Sequence, residues 1–363
     1  MKPILSICIA SFNKAETTSK LVKTILTCNR EELEVVVVDN ASTDNTLFLL
    51  NSIKDKRLRV IQNDTNIGYA RNLVKSLLSA NGDFCFYSND RDLVFPDKLG
   101  AFISFLRENG NIGGGHCVRN LIKDAGQFIG YQGIEALMSI NFCGEHPTGY
   151  FFRRTLLDAI PKQSLQYYET DGRLFPYENM LCEIICKGYT VVRYNDVIWQ
   201  STGNTTHHKY VAASDTSTDY SNKWFSPTKC LERAIGNIND TLRLCSENSI
   251  ILTNDQKYHL FAQILSPQYT FGVYRFKVIF ENPSLAYHYQ VPNRKIKSKE
   301  LRNNKSYIIN GFIDDIRKKE GENLQLESII INKIRLIEKK QSHRRLISFL
   351  SGVKHRILNF GKN

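Results

Sequence analysis

From residue 4 to about residue 210, apolar runs and polar clusters alternate with a regularity that predicts the fold. Ile4 to Ala10 alternates and then runs apolar, as a strand buried on both faces does. Ser11-Phe12-Asn13 ends it, and Lys20 to Leu26 carries apolar residues at 21, 22, 25 and 26, one face of a helix. Glu34 to Val38 is a second, β-branched strand that ends at Asp39-Asn40. Ser42-Thr43-Asp44 offers side-chain oxygens suited to N-capping a second helix, which carries Leu47, Leu49, Leu50 and Ile53. Leu58 to Gln62 is a third strand, Asn63 to Asn66 turn chemistry, Tyr69 to Leu78 a helix and Asp83 to Tyr87 a fourth strand.

Four strand–helix alternations with short connections predict a doubly wound, mostly parallel α/β sheet with right-handed crossovers. In such sheets ligands bind beyond the carboxyl ends of the strands. Ser11, Asn13, Asp39, Asn66, Asp90 and Asp92 all fall at those ends and are expected at one crevice. A helix runs from Pro96 to about Asn109, and Gly113-Gly114-Gly115 reads as a flexible connection without the context of a phosphate loop. Residues 117–140 look mixed and irregular. Gly149 to Arg153 is a short aromatic strand, Arg154 to Ile160 a helix, and Pro176 to Lys187 a helix stopped by Gly188. Tyr189 to Tyr194 and Val197 to Gln200 are strand-like. The pattern then changes: Ser217 to Lys229 is linker-like and the helical period dominates from Cys230. These shifts divide the chain into an α/β domain over 1–215 and a smaller helical region over 216–363.

Charge singles out the end of the chain. The net charge of the protein is +12, and residues 283–363 carry 18 Lys and Arg against 7 Asp and Glu. From Ser328 to Phe360, apolar residues at 330, 334, 337, 346, 350, 353 and 357 are interleaved with Lys and Arg. That is a basic amphipathic segment suited to an anionic membrane surface, or to packing into a homo-oligomer. Its apolar content and the lack of a recognition motif argue against nucleic acid. An apolar fraction of 42% with 17 Tyr and 20 Phe supplies a real core. The nine cysteines are scattered without zinc or disulfide spacing. The start lacks the features of a signal peptide, and no window approaches the length of a membrane span. A cytoplasmic setting is therefore expected.

Asp90 and Asp92 sit at i and i+2 just past the fourth strand, where two carboxylates can share a divalent cation. An isolated pair of this kind is more often a polar turn; its surroundings change the reading. Ile9 to Asn13, Val36 to Thr46, Asn66 to Asn72, and Asp90/Asp92 followed by Phe95-Pro96-Asp97-Lys98-Leu99 resemble, in order and spacing, the motifs of family-2 glycosyltransferases. These are inverting nucleotide-sugar enzymes of the GT-A fold, and the resemblance runs from about Pro3 to about Tyr210.

The resemblance implies the following roles. Ser11, Asn13, Asp39, Arg71 and Asp90 would meet the nucleotide sugar, with Asn13 and Asn66 chiefly shaping loops. A helix cap is the competing role for Asp39, a solvated helix charge that for Arg71. Asp92, Asp90 and His207 would hold Mn2+ or Mg2+; the neighbouring His208 is an alternative to His207. Asn89 and Arg91 stand where relatives carry acids, and Arg91 could supply part of the positive charge. Thr148-Gly149-Tyr150 is similar to the acceptor-side strand, which makes Gly149, Tyr150 and Trp199 acceptor-binding candidates, although Trp199 could equally be core. Asn179 stands where relatives carry the general base, which leaves Glu178 as the catalytic candidate and Asp171 as the next carboxylate. The implied activity is transfer from a UDP-sugar or other nucleotide sugar to a glycan or lipid-linked glycan, in surface polysaccharide biosynthesis, by a peripheral protein at the inner face of the cytoplasmic membrane. The competing reading is a catalytically weakened nucleotide-sugar-binding scaffold.

Overall fold

The computed structural model describes residues 2–169, 175–201, 223–289 and 291–341. The elements, in order, are β1 (Leu5–Ser11), α1 (Ala15–Leu26), β2 (Leu33–Asp39), α2 (Thr46–Asn51), β3 (Leu58–Gln62), α3 (Tyr69–Leu78), β4 (Phe84–Asn89), β5 (Leu93–Val94) and α4 (Pro96–Glu108). Next come β6 (Gly114–Cys117), β7 (Phe128–Tyr131), α5 (Gly133–Ser139), β8 (Tyr150–Arg153), α6 (Arg154–Asp158), α7 (Lys162–Tyr168), α8 (Pro176–Cys186), β9 (Val191–Tyr194) and β10 (Trp199–Gln200). Helices follow: α9 (Pro227–Glu247), α10 (Asn254–Tyr269), a π-helical stretch (Thr270–Arg275), α11 (Phe276–Glu281), α12 (Pro283–His288), α13 (Ser298–Glu320) and α14 (324–341).

Eight strands form one sheet in the order β3-β2-β1-β4-β8-β6-β9-β7. The expected four-strand half is parallel throughout, and Val35 to Val38 at its centre are fully buried. Its register levels the carboxyl ends: Ser11 pairs with Asp39, and Ala10 with Asn89. β8 then joins β4 antiparallel, and β6 lies between β8 and β9.

Two expectations are corrected. Gly113-Gly114-Gly115 is not a flexible connection, because Gly114 and Gly115 open strand β6 inside the sheet. A Cβ on Gly115 would lie 1.9 Å from the Val192 carbonyl oxygen, and one on Gly114 2.5 Å from that of Phe151. Glycine is required there because two strands close on β6. Residues 117–140 are likewise more regular than their sequence suggests, since they contain β7 and α5.

α1 and α4 cover one face of the sheet; α3 and α5–α8 cover the other. The core on that second face continues without a break into the helical region. Cys230, Ala234 and Ile238 of α9 and Leu260, Phe261 and Ile264 of α10 share one apolar cluster with Met180, Leu181 and Ile184 of α8. Burying each such side chain contributes about 1.5–3 kcal/mol. The helices are therefore fused to the α/β layer through α8. The boundary expected at residue 215 lies outside the described residues, as do residues 342–363 of the basic segment.

Candidate active site

The levelled strand ends carry two polar networks. The first shapes the loops after β1, β2 and β3. Asp39 is fully buried, and its carboxylate accepts from the Ser42 hydroxyl and, at 3.0 Å, from the Ser42 N–H. Asn13, with φ of 52°, accepts the Thr43 N–H on Oδ1 at 2.8 Å, and its own N–H donates to Ser42 Oγ at 2.8 Å. Ser11 Oγ pairs with Thr18 Oγ1 at 2.8 Å. Ser42 therefore serves these loops and does not cap α2, whose N-cap is Asn45.

Four asparagines extend this network. Asn63 donates to Asn40 and Asn72, both at 2.9 Å; Asn40 donates to Asn66 at 2.7 Å; Asn72 donates to the Val38 carbonyl at 3.0 Å. Asn66 also accepts the Gly68 N–H, consistent with loop shaping. Arg71, in the first turn of α3, is exposed.

The second network gathers around Asp92, which is 2% exposed. Asp92 Oδ2 accepts from the Thr148 hydroxyl and, at 3.1 Å, from Asn89 Nδ2. His146 Nδ1 lies 3.5 Å from the same oxygen but accepts the Thr148 N–H at 3.3 Å. Burial holds the imidazoles of His146 and His116 below their usual range, His116 at about 3. Both are then neutral at pH 7, and His116 Nε2 donates to the His146 carbonyl at 3.2 Å.

Trp199 stacks on His146 with ring centroids 4.9 Å apart, and its indole N–H donates to the Cys117 carbonyl at 3.0 Å. It is 1% exposed. Gly149 has φ of 115°, and a Cβ there would lie 2.6 Å from Trp199 Nε1 and 2.8 Å from His116 Nε2. Glycine at 149 thus lets strand, indole and imidazole meet. Asp90 meets the β1–α1 loop: burial raises its pKa and the charge of Asp92 assists, while Arg91, Lys14 and the Phe12 N–H support its ionised form.

Behind β8 lies Glu178, in the first turn of α8 and 1% exposed. It accepts the Gly144 N–H at 3.1 Å. Burial pushes its carboxyl up to about 7, with the Gly144 bond and the charge of Arg233 opposing and Glu145 assisting. The adjoining Tyr150 and Tyr177 rings are 4.6 Å apart, and burial keeps both phenols neutral. The Tyr150 hydroxyl is buried without a hydrogen-bond partner among the described residues. Asn179 turns away and donates to Asp240 Oδ2 of α9 at 2.9 Å.

The matches to known proteins follow this geometry. Residues 6–159 match the family described as Glycosyl transferase family 2. That match spans less than half of the chain. The Escherichia coli UDP-Glc:alpha-D-GlcNAc-diphosphoundecaprenol beta-1,3-glucosyltransferase WfgD is 28% identical over 160 residues, which cover 43% of this chain and 63% of WfgD. The abequosyltransferase RfbV of Salmonella typhimurium is 29% identical over 117 residues, 30% of this chain and 34% of RfbV. In both, the shared stretch is less than two thirds of the relative's length. The 1–349 portion of S. aureus TarS in complex with UDP-GlcNAc superposes with a TM-score of 0.58 at 17% identity, covering 94% of this chain and 92% of that one. That likeness extends the shared fold, GT-A with a helical C-terminal region, to nearly the whole chain.

The family 2 match contains the network of the β1–β3 loops and the Asp92 network, and ends before Glu178, Trp199 and all of α9. His116, His146 and the asparagine lattice escaped sequence reasoning: a histidine in a glycine strand or an irregular loop carries no periodic signal, and Asn63 and Asn72 read as turn and helix residues. His207, His208 and Asp171 lie outside the described residues. Among the described residues no three His, Cys, Asp or Glu side chains cluster as a metal set. Asp92 and Asp90 nonetheless supply the hard oxygen ligands that Mn2+ or Mg2+ takes, and Asp92 Oδ1 accepts no hydrogen bond among the described residues.

Proposed function

We propose that this protein is an inverting glycosyltransferase that moves a sugar from a nucleotide sugar, a UDP-sugar first, to a hydroxyl of a glycan or lipid-linked glycan. The observation that carries this reading is Glu178. A buried carboxyl pushed up to about 7, behind the Gly149–Tyr150 strand of a family 2 domain, is poised to take a proton near neutral pH. Attack by the acceptor hydroxyl then delivers its proton to Glu178 while the nucleoside diphosphate departs from the opposite face. The strand of Gly149 and Tyr150 marks the acceptor side, with Trp199 buried against His146 as its support, and Ser11, Asn13, Asp39 and Arg71 mark the donor side.

Asp92 and Asp90, with His207, would hold Mn2+ or Mg2+, which when bound neutralises the diphosphate. Lys14 and Arg91 flank Asp90 and add positive charge at the same edge. The names of WfgD and RfbV support a place in surface polysaccharide assembly. No helix of the described residues is long and apolar enough to cross a membrane. The basic segment would hold the protein peripherally on an anionic leaflet at the inner face of the cytoplasmic membrane, each Lys or Arg adding on the order of 1 kcal/mol. The same segment offers a homo-oligomer contact.

Nucleoside diphosphate release, measured with a panel of nucleotide sugars and lipid-linked acceptors, tests the reading. Glu178→Gln is expected to lower turnover by about 10²–10⁴-fold while keeping donor binding. Unchanged turnover removes Glu178 from the mechanism. No turnover by either protein, with donor still bound, favours the scaffold reading that Asn179 invites.

A further inference from the structure

Arg233 of α9 is 1% exposed, and its surroundings do not neutralise it. Its Nε–H donates to Gln268 Oε1 at 2.9 Å; its Nη2 donates to the Trp224 carbonyl and to Cys230 Sγ, the latter at 3.2 Å. The guanidinium carbon lies 5.4 Å from the centroid of the Phe175 ring. All these partners are uncharged, and Nη1 is buried with no hydrogen-bond partner among the described residues. A guanidinium in that state costs several kcal/mol unless an anion's field reaches it.

The titratable groups facing it are Glu178, Tyr177, Cys230 and Glu232. Tyr177 and Cys230 are held neutral by burial, and Glu232 is bound at 2.8 Å to Lys229 on the surface. Among the described residues Glu178 is the buried acid that remains. From its side, Glu178 faces Tyr150, Tyr177 and Cys143, all neutral, the Gly144 N–H, and Glu145, whose charge opposes ionisation. Arg233 is the cation whose field favours the carboxylate.

The geometry ties the two together. Phe175, under the guanidinium, accepts the Glu178 N–H at 3.0 Å. One residue on, Asn179 bonds Asp240 on the same helix as Arg233. α9 therefore grips the first turn of α8 on both sides of Glu178.

We propose that Arg233 is a positioning residue for Glu178: it sustains the ionised, proton-accepting carboxylate and makes the helical region part of the active site. This rests on Glu178 being the base. The test is the pH dependence of kcat/KM in the full chain for wild type, Arg233→Lys, Arg233→Met and Gln268→Glu, with donor affinity as the check on folding. The wild-type acid limb is expected near 7. Arg233→Met moves it up by about one pH unit, a loss of about tenfold at pH 6, with rates converging at pH 9. Arg233→Lys restores the wild-type midpoint. Gln268→Glu moves it up too, because the new acid shares the guanidinium's charge. Equal loss at every pH in Arg233→Met means a merely structural role and overturns the proposal. If Arg233→Met does not fold, an unmoved midpoint in Gln268→Glu overturns it. Glu178→Gln separates the two levels: full activity there removes the base, whereas inactivity there with unmoved midpoints in the other variants removes Arg233 alone.

Discussion

The Thr148 hydroxyl donates to Asp92 Oδ2 while it accepts the Asn89 N–H at 2.9 Å, so one side chain ties the acidic loop after β4 to the segment leading into β8. Thr148→Val keeps the shape and removes both bonds. The buried Asn89 N–H then loses its partner, a cost of about 1–3 kcal/mol. Asp92 is also freed to shift, and a displacement of about 1 Å at a reacting site can cost on the order of 10²-fold in rate. We expect a lower denaturation midpoint together with that loss of turnover, and both restored in Thr148→Ser. A fully active Thr148→Val would show that Asp92 needs no such anchor.

Glu178 carries a stability signature separate from its proposed role in transfer. Its folded pKa of about 7 lies above the ordinary 4.5, so the native state holds the proton more tightly than the unfolded chain. Its contribution to stability is therefore fully present below pH 4.5 and lost as pH rises through 7. At about 1.4 kcal/mol per pH unit this reaches about 3 kcal/mol. Wild type should lose that much more stability than Glu178→Gln between pH 4.5 and pH 8 in urea titrations. Parallel curves for the two proteins would rule out the raised pKa.

How far these features could be read in advance depends on how local their causes are. The parallel half of the sheet was legible because Ile7–Ile9 and Val35–Val38 are buried on both faces and read as apolar runs. The loop role of Asn13 came with the family resemblance; the turn at Asn63–Asn66 was legible from its residue types. β6 was not, because glycines that admit two neighbouring strands look like a flexible linker until Val192 and Phe151 are placed beside them. Nor were the partners of α8. Asp240 and Arg233 meet Asn179 and Phe175 from more than fifty residues away, through single side chains on a helix whose period reports only its apolar face. Trp199 was left between stacking on a sugar and filling a core; here it is buried against His146.

Gly149 joins two strains in one position. With φ of 115° any side chain is disfavoured, and a Cβ would also lie 2.6 Å from Trp199 Nε1. Gly149→Ala should destabilise by about 1–3 kcal/mol from backbone strain, more if the indole cannot yield. Displacing the indole breaks its bond to the Cys117 carbonyl, so tryptophan fluorescence should change together with the melting temperature. A variant with unchanged stability and emission would mean that the strand relaxes freely at this point.

The asparagine lattice predicts an unusual pH response. Asn72 is 2% exposed; its Nδ2 donates to the Val38 carbonyl at 3.0 Å and its Oδ1 accepts from Asn63 at 2.9 Å. Asn72→Asp keeps the acceptor toward Asn63 but sets a carboxylate oxygen against the Val38 carbonyl. Burial and that repulsion both raise the new carboxyl's pKa, so the variant should be less stable by about 2–4 kcal/mol at pH 8. Protonation restores a donor toward Val38. A folded pKa above the unfolded value means that the deficit shrinks as pH falls through the folded pKa, so the variant should approach wild type near pH 5. Asn72→Leu, which cannot regain a donor, should show a deficit independent of pH. Denaturant midpoints of the three proteins at pH 5 and pH 8 decide this, and equal deficits at the two pH values in Asn72→Asp would mean that the Asn72–Val38 bond does not hold the loop.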